Sequence, residues 1–282
     1  MRKLYLGIIL ILMYVPIALV ILYSFNESRF DVRWASFSFL WYRDLFRDRA
    51  IFSALRNSLI LASSASFLAA IIGTLGAVGM AWVKPSGKGG LNSFRSQLRK
   101  VLEYLSILPI MTPEIIMGMV LLAFFTIIRL PLGMLTLILA HTSFCVPYVY
   151  LLVKARLAGL DKNYFEAARN LGAGTFRAFW DIILPLIMPA VISGMLLAFA
   201  MSFDDVIISI FVTGPHTNTL PIRIFTQIRT GVTPKTNALC ALLFIITVFL
   251  CILSAAVSRI RPIEKQVIVS EQNMEKGERE RL

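Results

Sequence analysis

The amino-acid sequence predicts an all-α membrane protein that crosses the bilayer six times. Hydrophobic residues make up 57% of its 282 positions and charged residues only 16%, against about 25% charged residues in soluble domains. Three runs, at residues 4–24, 57–83 and 236–258, contain no Asp, Glu, Lys or Arg. About 20 apolar residues span a bilayer core as a helix. Strict polar–apolar alternation is absent, so helices are expected rather than the strands of a closed barrel.

The first apolar run follows a basic start and has two interpretations, a signal peptide or a first span. A cleaved signal would need small residues after the run. Tyr23, Phe25 and Asn26 stand there instead. We therefore expect an uncleaved first span.

Five further spans follow along the chain. Their expected positions are residues 57–83, 104–128, 132–153, 187–207 and 236–258. Together with the first span they define a single transmembrane domain over residues 1–258. The tail at residues 259–282 is polar and mixed in charge, which is typical of a disordered segment.

The loop between the first two spans carries an amphipathic pattern. Trp41, Leu45, Phe52 and Leu55 fall near one face of a helix. Aromatic residues such as Trp41 favour the boundary between lipid and water. The pattern predicts a helix that lies in the outer membrane interface and anchors the loop.

The distribution of basic residues predicts the orientation. Of the 28 Lys and Arg residues, 18 fall in loops on the side of the two termini and 10 on the opposite side. The positive-inside rule places both termini in the cytoplasm of a cell whose inner membrane holds the protein. We therefore expect the net charge of +12 to favour contact with anionic lipid and not with nucleic acid.

A charged, glycine-containing segment at residues 154–186 lies between spans four and five, on the cytoplasmic side. Asp161 is suited to cap the start of a short helix, and Gly172 is suited to end it. Thr175 can begin a second helix that Pro185 ends. Such an elbow either packs under the protein's own helices or docks a soluble partner.

The spacing within this segment resembles the EAA loop of permease subunits in binding-protein-dependent ABC importers. The positions that carry the resemblance are Glu166, Ala167, Ala168, Gly172, Ile182, Leu184 and Pro185. It implies that these residues couple the permease to a cytoplasmic ATPase by inserting a short helix into a cleft of that subunit. The chain has no Gly-x-x-x-x-Gly-Lys-Ser/Thr motif. ATP is therefore expected to be used by the partner, and this chain is expected to bind no cofactor.

Acidic residues within the apolar spans are candidates for the substrate pathway. Glu114 lies within span three, where Pro109 and Pro113 are expected to kink the helix. Asp204 and Asp205 lie in the outer part of span five. No Lys or Arg lies within the spans, so a pathway with three acids favours a cationic substrate.

Structural roles for the same groups stay open at this point. In one alternative Asp204 caps a helix break, and in another either aspartate forms an ion pair with Arg223 or Arg229. The other strongly polar titratable group in a span, His141, is expected to form a hydrogen bond between helices. The three cysteines show no disulfide or zinc spacing, so no metal site is expected.

A closer resemblance extends over nearly the whole chain. The segments SFNESRF, HTSFCVPYV, SFDD and FVTGP are similar to those of spermidine/putrescine importer permeases, most of all the second permease subunit. The resemblance implies a second permease subunit, two copies of an ATPase and an extracytoplasmic solute-binding protein. Three alternatives remain: an importer permease for another small cationic or polar solute, a secondary transporter or channel that works alone, and a membrane enzyme. Two histidines and no metal-spaced cluster make the enzyme the weakest alternative.

Overall fold

The computed structural model describes residues 2–28, 33–82, 90–160, 174–215 and 217–259, and within these ranges the chain is built from helices. They are, in order, α1 (Arg2–Tyr23), α2 (Leu40–Arg47), α3 (Arg49–Trp82), α4 (Gly90–Met111), α5 (Glu114–Ile127), α6 (Met134–Ala158), α7 (Thr175–Ala178), a π-helical turn (Phe179–Ile183), α8 (Leu184–Asp204), α9 (Ile207–Val212), α10 (Leu220–Thr230) and α11 (Pro234–Arg259). The predicted tail beyond residue 259 lies outside the described residues.

Within the described residues, the apolar segments predicted as spans lie mainly on helices. Four helical stretches are long and apolar enough to cross a membrane, namely Tyr5–Tyr23, Arg49–Ala81, Met134–Ala158 and Phe176–Asp204. A bent pair, Lys100–Met111 with Glu114–Ile127, makes a fifth if it counts as one span, and Pro234–Phe249 is a shorter apolar helix. The all-α membrane fold is confirmed, whereas the count of six spans stays a prediction.

Third span

The kink predicted within residues 104–128 is present, as a full break between two helices. Helix α4 ends at Met111, α5 begins at Glu114, and the two are bent by 112°. Pro113 precedes α5 with an extended backbone (φ −55°, ψ 132°). A proline ring disfavours helical geometry in the residue before it. Pro109, by contrast, lies inside α4, so the break falls at Pro113 alone.

Fifth span

The prediction that Pro185 ends a short helix is wrong. Helical structure continues without interruption from Thr175 to Asp204. In the π-helical turn just before the proline, the Leu184 N–H donates to the Phe179 carbonyl, five residues back. In a regular α-helix the proline ring would clash with the carbonyl four residues back. The wider π-turn accommodates the ring, and the helix continues into the span.

Packing around helix six

Residues Arg49–Arg229 form one compact unit, in which α6 packs against both α3 and α8. Glycines allow the close approach. A Cβ added to Gly73 of α3 would lie 2.9 Å from the Cβ of Val149, and one added to Gly194 of α8 would lie 3.1 Å from the Val149 Cα. Small residues at helix contacts are the usual means of tight packing in lipid, where no hydrophobic force drives helices together.

Amino-terminal and carboxyl-terminal helices

The described residues within 1–48 and 230–282 form a second compact unit. Within it α11 packs against α1 and α2. Trp41 is buried, and its indole Nε1 donates to the Asn26 carbonyl at 2.8 Å. Helix α2 ends at Arg47, so Phe52 belongs to α3 and not to the predicted amphipathic helix. Since Trp41 is held by protein groups, its role here is to fix the loop; a place for α2 in the membrane interface stays a prediction.

Candidate functional site

The two adjacent aspartates predicted in span five mark a break between helices. Helix α8 ends at Asp204, and Asp205 has an extended backbone (φ −66°, ψ 130°). Helix α9 begins at Ile207. Because of this break, the two carboxylates lie in different surroundings and have different roles.

The Asp205 carboxylate caps helix α9. It accepts hydrogen bonds from the backbone N–H of Ile208 at 3.2 Å and of Ser209 at 2.8 Å, and from the Ser209 hydroxyl at 2.8 Å. His141 Nε2 lies 3.4 Å away, and only 6% of the Asp205 side chain is exposed. Side-chain oxygens commonly satisfy the free N–H groups of a first helical turn in this way. The capping role left open for Asp204 thus belongs to its neighbour.

His141 joins three helices and is fully buried. The histidine belongs to α6. Its Nδ1 lies 2.8 Å from the Ser202 hydroxyl of α8, and its Nε2 lies 3.0 Å from the Ser209 hydroxyl of α9. The predicted interhelical hydrogen bond of this histidine is therefore confirmed. A buried polar ring in an apolar bundle is stable only when its nitrogens have partners, and both have them here.

Asp204 has the opposite environment. Its side chain is exposed, and within the described part of the chain its carboxylate has no hydrogen-bond or ion-pair partner. A carboxylate without a partner in a membrane span is costly unless it faces water, a ligand or a partner subunit. Of the predicted aspartate pair, Asp204 is the one whose carboxylate is exposed and has no partner among the described residues.

Glu114 also lies beside a helix break. It is the first residue of α5 and is exposed. Helix α5 packs against α9. At this contact a Cβ on Gly118 would lie 2.5 Å from the Phe211 ring. The helix that carries Glu114 is thus held against the helix that Asp205 caps.

The loop after α9 is anchored to the start of α6. The Thr136 hydroxyl donates to the Val212 carbonyl at 2.9 Å. A Cβ on Gly214 would lie only 2.2 Å from the Leu132 carbonyl oxygen, so only glycine fits this approach. These contacts hold α9 from its far end, while the Asp205 cap holds it from its start.

Sequence reasoning missed the two serines that bond His141. Ser202 and Ser209 lie on either side of the aspartate pair, and both are buried. A signal was present, because a buried hydroxyl in an apolar span needs a hydrogen-bond partner. The partner, however, is 61 residues from Ser202 and 68 from Ser209, and its identity depends on how α6 packs.

The predicted coupling segment is described only in part. Glu166, Ala167, Ala168 and Gly172 lie outside the described residues. Ile182 lies in the π-helical turn, and Leu184 and Pro185 open α8.

The two ends of the coupling segment are joined directly. Arg156, near the end of α6, donates from Nε to the Leu186 carbonyl of α8 at 3.1 Å. Lys154 forms an ion pair with Glu103 of α4. The described ends of the coupling segment are therefore tied to one helical framework.

A cavity of about 420 Å³ lies between α3 and the α8 region. Phe67, Ile71, Trp180, Met188 and Met195 are among the side chains that line it. None of the three predicted acids lines this cavity. Its apolar walls are unsuited to an ammonium group, which loses water at a high cost unless polar groups replace it.

Exposed carboxylates beside two breaks in an apolar helical bundle indicate a membrane transport component. The family described as "Binding-protein-dependent transport system inner membrane component" matches residues 86–261. This chain belongs to that family, and it is a permease subunit of a binding-protein-dependent ABC importer.

Relatives of known function support this membership over most of the chain. The chain is 36% identical over 259 residues to the spermidine/putrescine transport system permease protein PotC of Haemophilus influenzae, covering 92% of this chain and 96% of the relative. It is 40% identical over 237 residues to the putrescine transport system permease protein PotI of Escherichia coli K12, covering 82% and 81%. The predicted resemblance to polyamine importer permeases is confirmed.

Solved structures share the fold. A bacterial ABC transporter that imports the acidic polysaccharide alginate matches with a TM-score of 0.67 at 14% identity, covering 92% of this chain and 94% of that chain. The methionine transporter MetNI matches with a TM-score of 0.60 at 17% identity, covering 74% and 94%. At such low identity these matches show the fold alone.

Proposed function

We propose that this permease subunit carries polyamines, spermidine or putrescine, into the cell. The observation that supports a cation most directly is the exposed Asp204 carboxylate, which has no partner in the described part of the chain. The substrates in the names of the relatives, at 36% and 40% identity, favour polyamines among cations.

The proposed chemistry is replacement of water by carboxylate. Each ammonium group of a polyamine is strongly hydrated, and its transfer away from water is unfavourable unless an opposite charge or oriented dipoles take over. Asp204 supplies such a charge at the end of α8, and Glu114 supplies a second one at the start of α5. Asp205 contributes little to binding, since helix α9 already uses its charge.

Binding of the substrate by these carboxylates should be weak, and groups of the second permease subunit should share in it. A transported ion must leave each site as readily as it enters. Two separated carboxylates with a polyamine between them meet this need better than a closed cage. Groups of the second permease subunit are expected to complete the site.

Transport is driven, in this proposal, by ATP bound and hydrolysed on a separate cytoplasmic ATPase. The segment containing Glu166 and Gly172 docks into that subunit, and an extracytoplasmic binding protein delivers the substrate. The hydrogen bond from Arg156 to Leu186 supports transmission of the movement, because it joins both ends of the segment. In this scheme the chain itself performs no catalysis.

In this proposal the chain lies in the cytoplasmic membrane with both termini inside the cell. Cysteine labels at Ser93 and Thr175 are expected to react from the cytoplasm only, and labels at Ser36 and Thr217 from outside only. The opposite pattern of labelling would overturn the orientation.

The substrate is tested with the complete complex in proteoliposomes. We expect ATP-dependent uptake of labelled spermidine or putrescine, and we expect Asp204→Asn to depress it severely. Asn keeps the shape of the side chain and removes its charge. Stronger competition by an unrelated small solute would reassign the substrate. Uptake without the ATPase would instead indicate a secondary transporter or a channel.

The coupling role is tested separately. Glu166→Lys reverses a charge in the proposed docking segment, and Gly172→Val adds a β-branched side chain at its expected corner. Both are expected to lower uptake while the protein stays inserted. Normal uptake in both variants, with the ATPase bound, would exclude the docking role.

A further inference from the structure

We propose that His141 is a positioning residue for the cation site: it sets the angle of the helix break at which Asp204 is presented. This inference rests on the proposed role of Asp204 in binding the substrate. His141 does not touch the substrate in this scheme and acts only through the geometry of α8 and α9.

The hydrogen bonds of the network have a definite direction. The Ser209 hydroxyl donates to the Asp205 carboxylate, which can only accept. The same hydroxyl oxygen must then accept from His141 Nε2–H, at 3.0 Å. In the neutral ring Nδ1 is an acceptor, so the Ser202 hydroxyl donates to it, at 2.8 Å. One chain of hydrogen bonds thus runs from Ser202 through His141 and Ser209 to Asp205.

This chain of hydrogen bonds bridges the helix break beside which Asp204 lies. Ser202 lies two residues before Asp204 in α8, and Ser209 lies in the first turn of α9. A histidine that served only to stabilise the bundle could bond to either helix alone. Here the two ring nitrogens bond to one helix each, so the ring acts as a rigid spacer between them.

The rigid spacer has a consequence for affinity. If either hydrogen bond is lost, α8 and α9 gain freedom to pivot about Asp205, and the Asp204 carboxylate is held less firmly. A binding group that must be ordered by the substrate binds more weakly. The concentration for half-maximal uptake, KM, should therefore rise while the maximal rate changes little.

The test is a graded series of variants in the complete complex, with uptake of spermidine measured against its concentration. His141→Gln places an amide near the position of Nε2 and keeps the contact with Ser209. His141→Asn places one near Nδ1 and keeps the contact with Ser202. Each is expected to raise KM about fivefold, the factor that corresponds to one ordinary hydrogen bond. His141→Leu loses both contacts and should raise KM further.

Two serine variants provide a matched comparison. Ser202→Ala removes the donor to His141 and is expected to raise KM like His141→Gln. Ser193→Ala is the control, because the Ser193 hydroxyl lies on the same helix, is exposed, and among the described residues bonds only to the Pro189 carbonyl of its own helix. Its KM should equal that of the unchanged protein.

A double variant separates positioning from general stability. In the Asp204→Asn background, Ser202→Ala should have no further effect on KM, because the group it positions is gone. An equal rise of KM in both backgrounds, or a loss of inserted protein with no change of KM, would overturn the inference. Normal uptake by Asp204→Asn alone would refute the proposed site itself. Impaired uptake by Asp204→Asn with normal KM in the His141 and Ser202 variants would refute only the positioning role.

Discussion

Two neighbouring aspartates with opposite roles provide the sharpest stability test. Asp205→Ala removes a carboxylate that accepts three hydrogen bonds at 2.8–3.2 Å. Loss of a helix cap alone costs about 1 kcal/mol. The buried Ser209 hydroxyl also loses its charged acceptor, which adds roughly 1–3 kcal/mol. We therefore expect a decrease of about 2–4 kcal/mol in the free energy of unfolding, the sum of these two terms.

Asp204→Ala is the matched control one residue away. Its side chain is exposed and has no partner among the described residues, so the expected change lies within about 0.5 kcal/mol. Asp205→Asn should fall between the two variants, because an amide oxygen still caps but carries no charge. Denaturant unfolding of the purified protein in detergent, followed by tryptophan fluorescence, measures all three. Equal destabilisation by the two alanine variants would refute the division of roles.

Three further predictions concern packing, coupling and charge. Gly214→Ala should destabilise the protein by about 1–3 kcal/mol, because its Cβ would overlap the Leu132 carbonyl; an unchanged thermal midpoint would contradict this. Arg156→Met should lower the number of polyamines imported per ATP hydrolysed, since the hydrogen bond to Leu186 is lost. Arg156→Lys keeps a cation, so its ratio should fall between those of Arg156→Met and the unchanged protein. Equal ratios in all three proteins would show that the bond plays no part in coupling. Asp204→Glu keeps the charge and should retain more uptake than Asp204→Asn, measured with labelled putrescine; the reverse order would argue against a role for charge.

The class of protein and the positions of its helices were predictable from sequence. Lipid cannot hydrogen-bond to the backbone, so a long apolar run must satisfy its N–H and C=O groups within its own helix. That constraint is local and can be evaluated from composition alone. The resemblance at the coupling segment was likewise readable from spacing, although Glu166 and Gly172 lie outside the described residues.

The break in the third span was only half predictable. Prolines at 109 and 113 indicated a kink, and the sequence did not show which of them ends a helix. Pro109 is accommodated inside α4, while the chain turns by 112° after Met111. Packing of α5 against α9, with Gly118 beneath Phe211, selects the bent form over a kinked single helix.

The different roles of the two aspartates required the tertiary structure. Sequence identified both acids as costly in a membrane, which holds for either of them. Which aspartate takes which role depends on the residue at which α8 ends. A shift of that end by one residue would exchange the capping carboxylate and the exposed carboxylate. That end is held by His141, which comes from another helix 61 residues before Ser202. Long-range packing therefore decides which carboxylate is left exposed, because only the folded bundle brings the imidazole between the two helices.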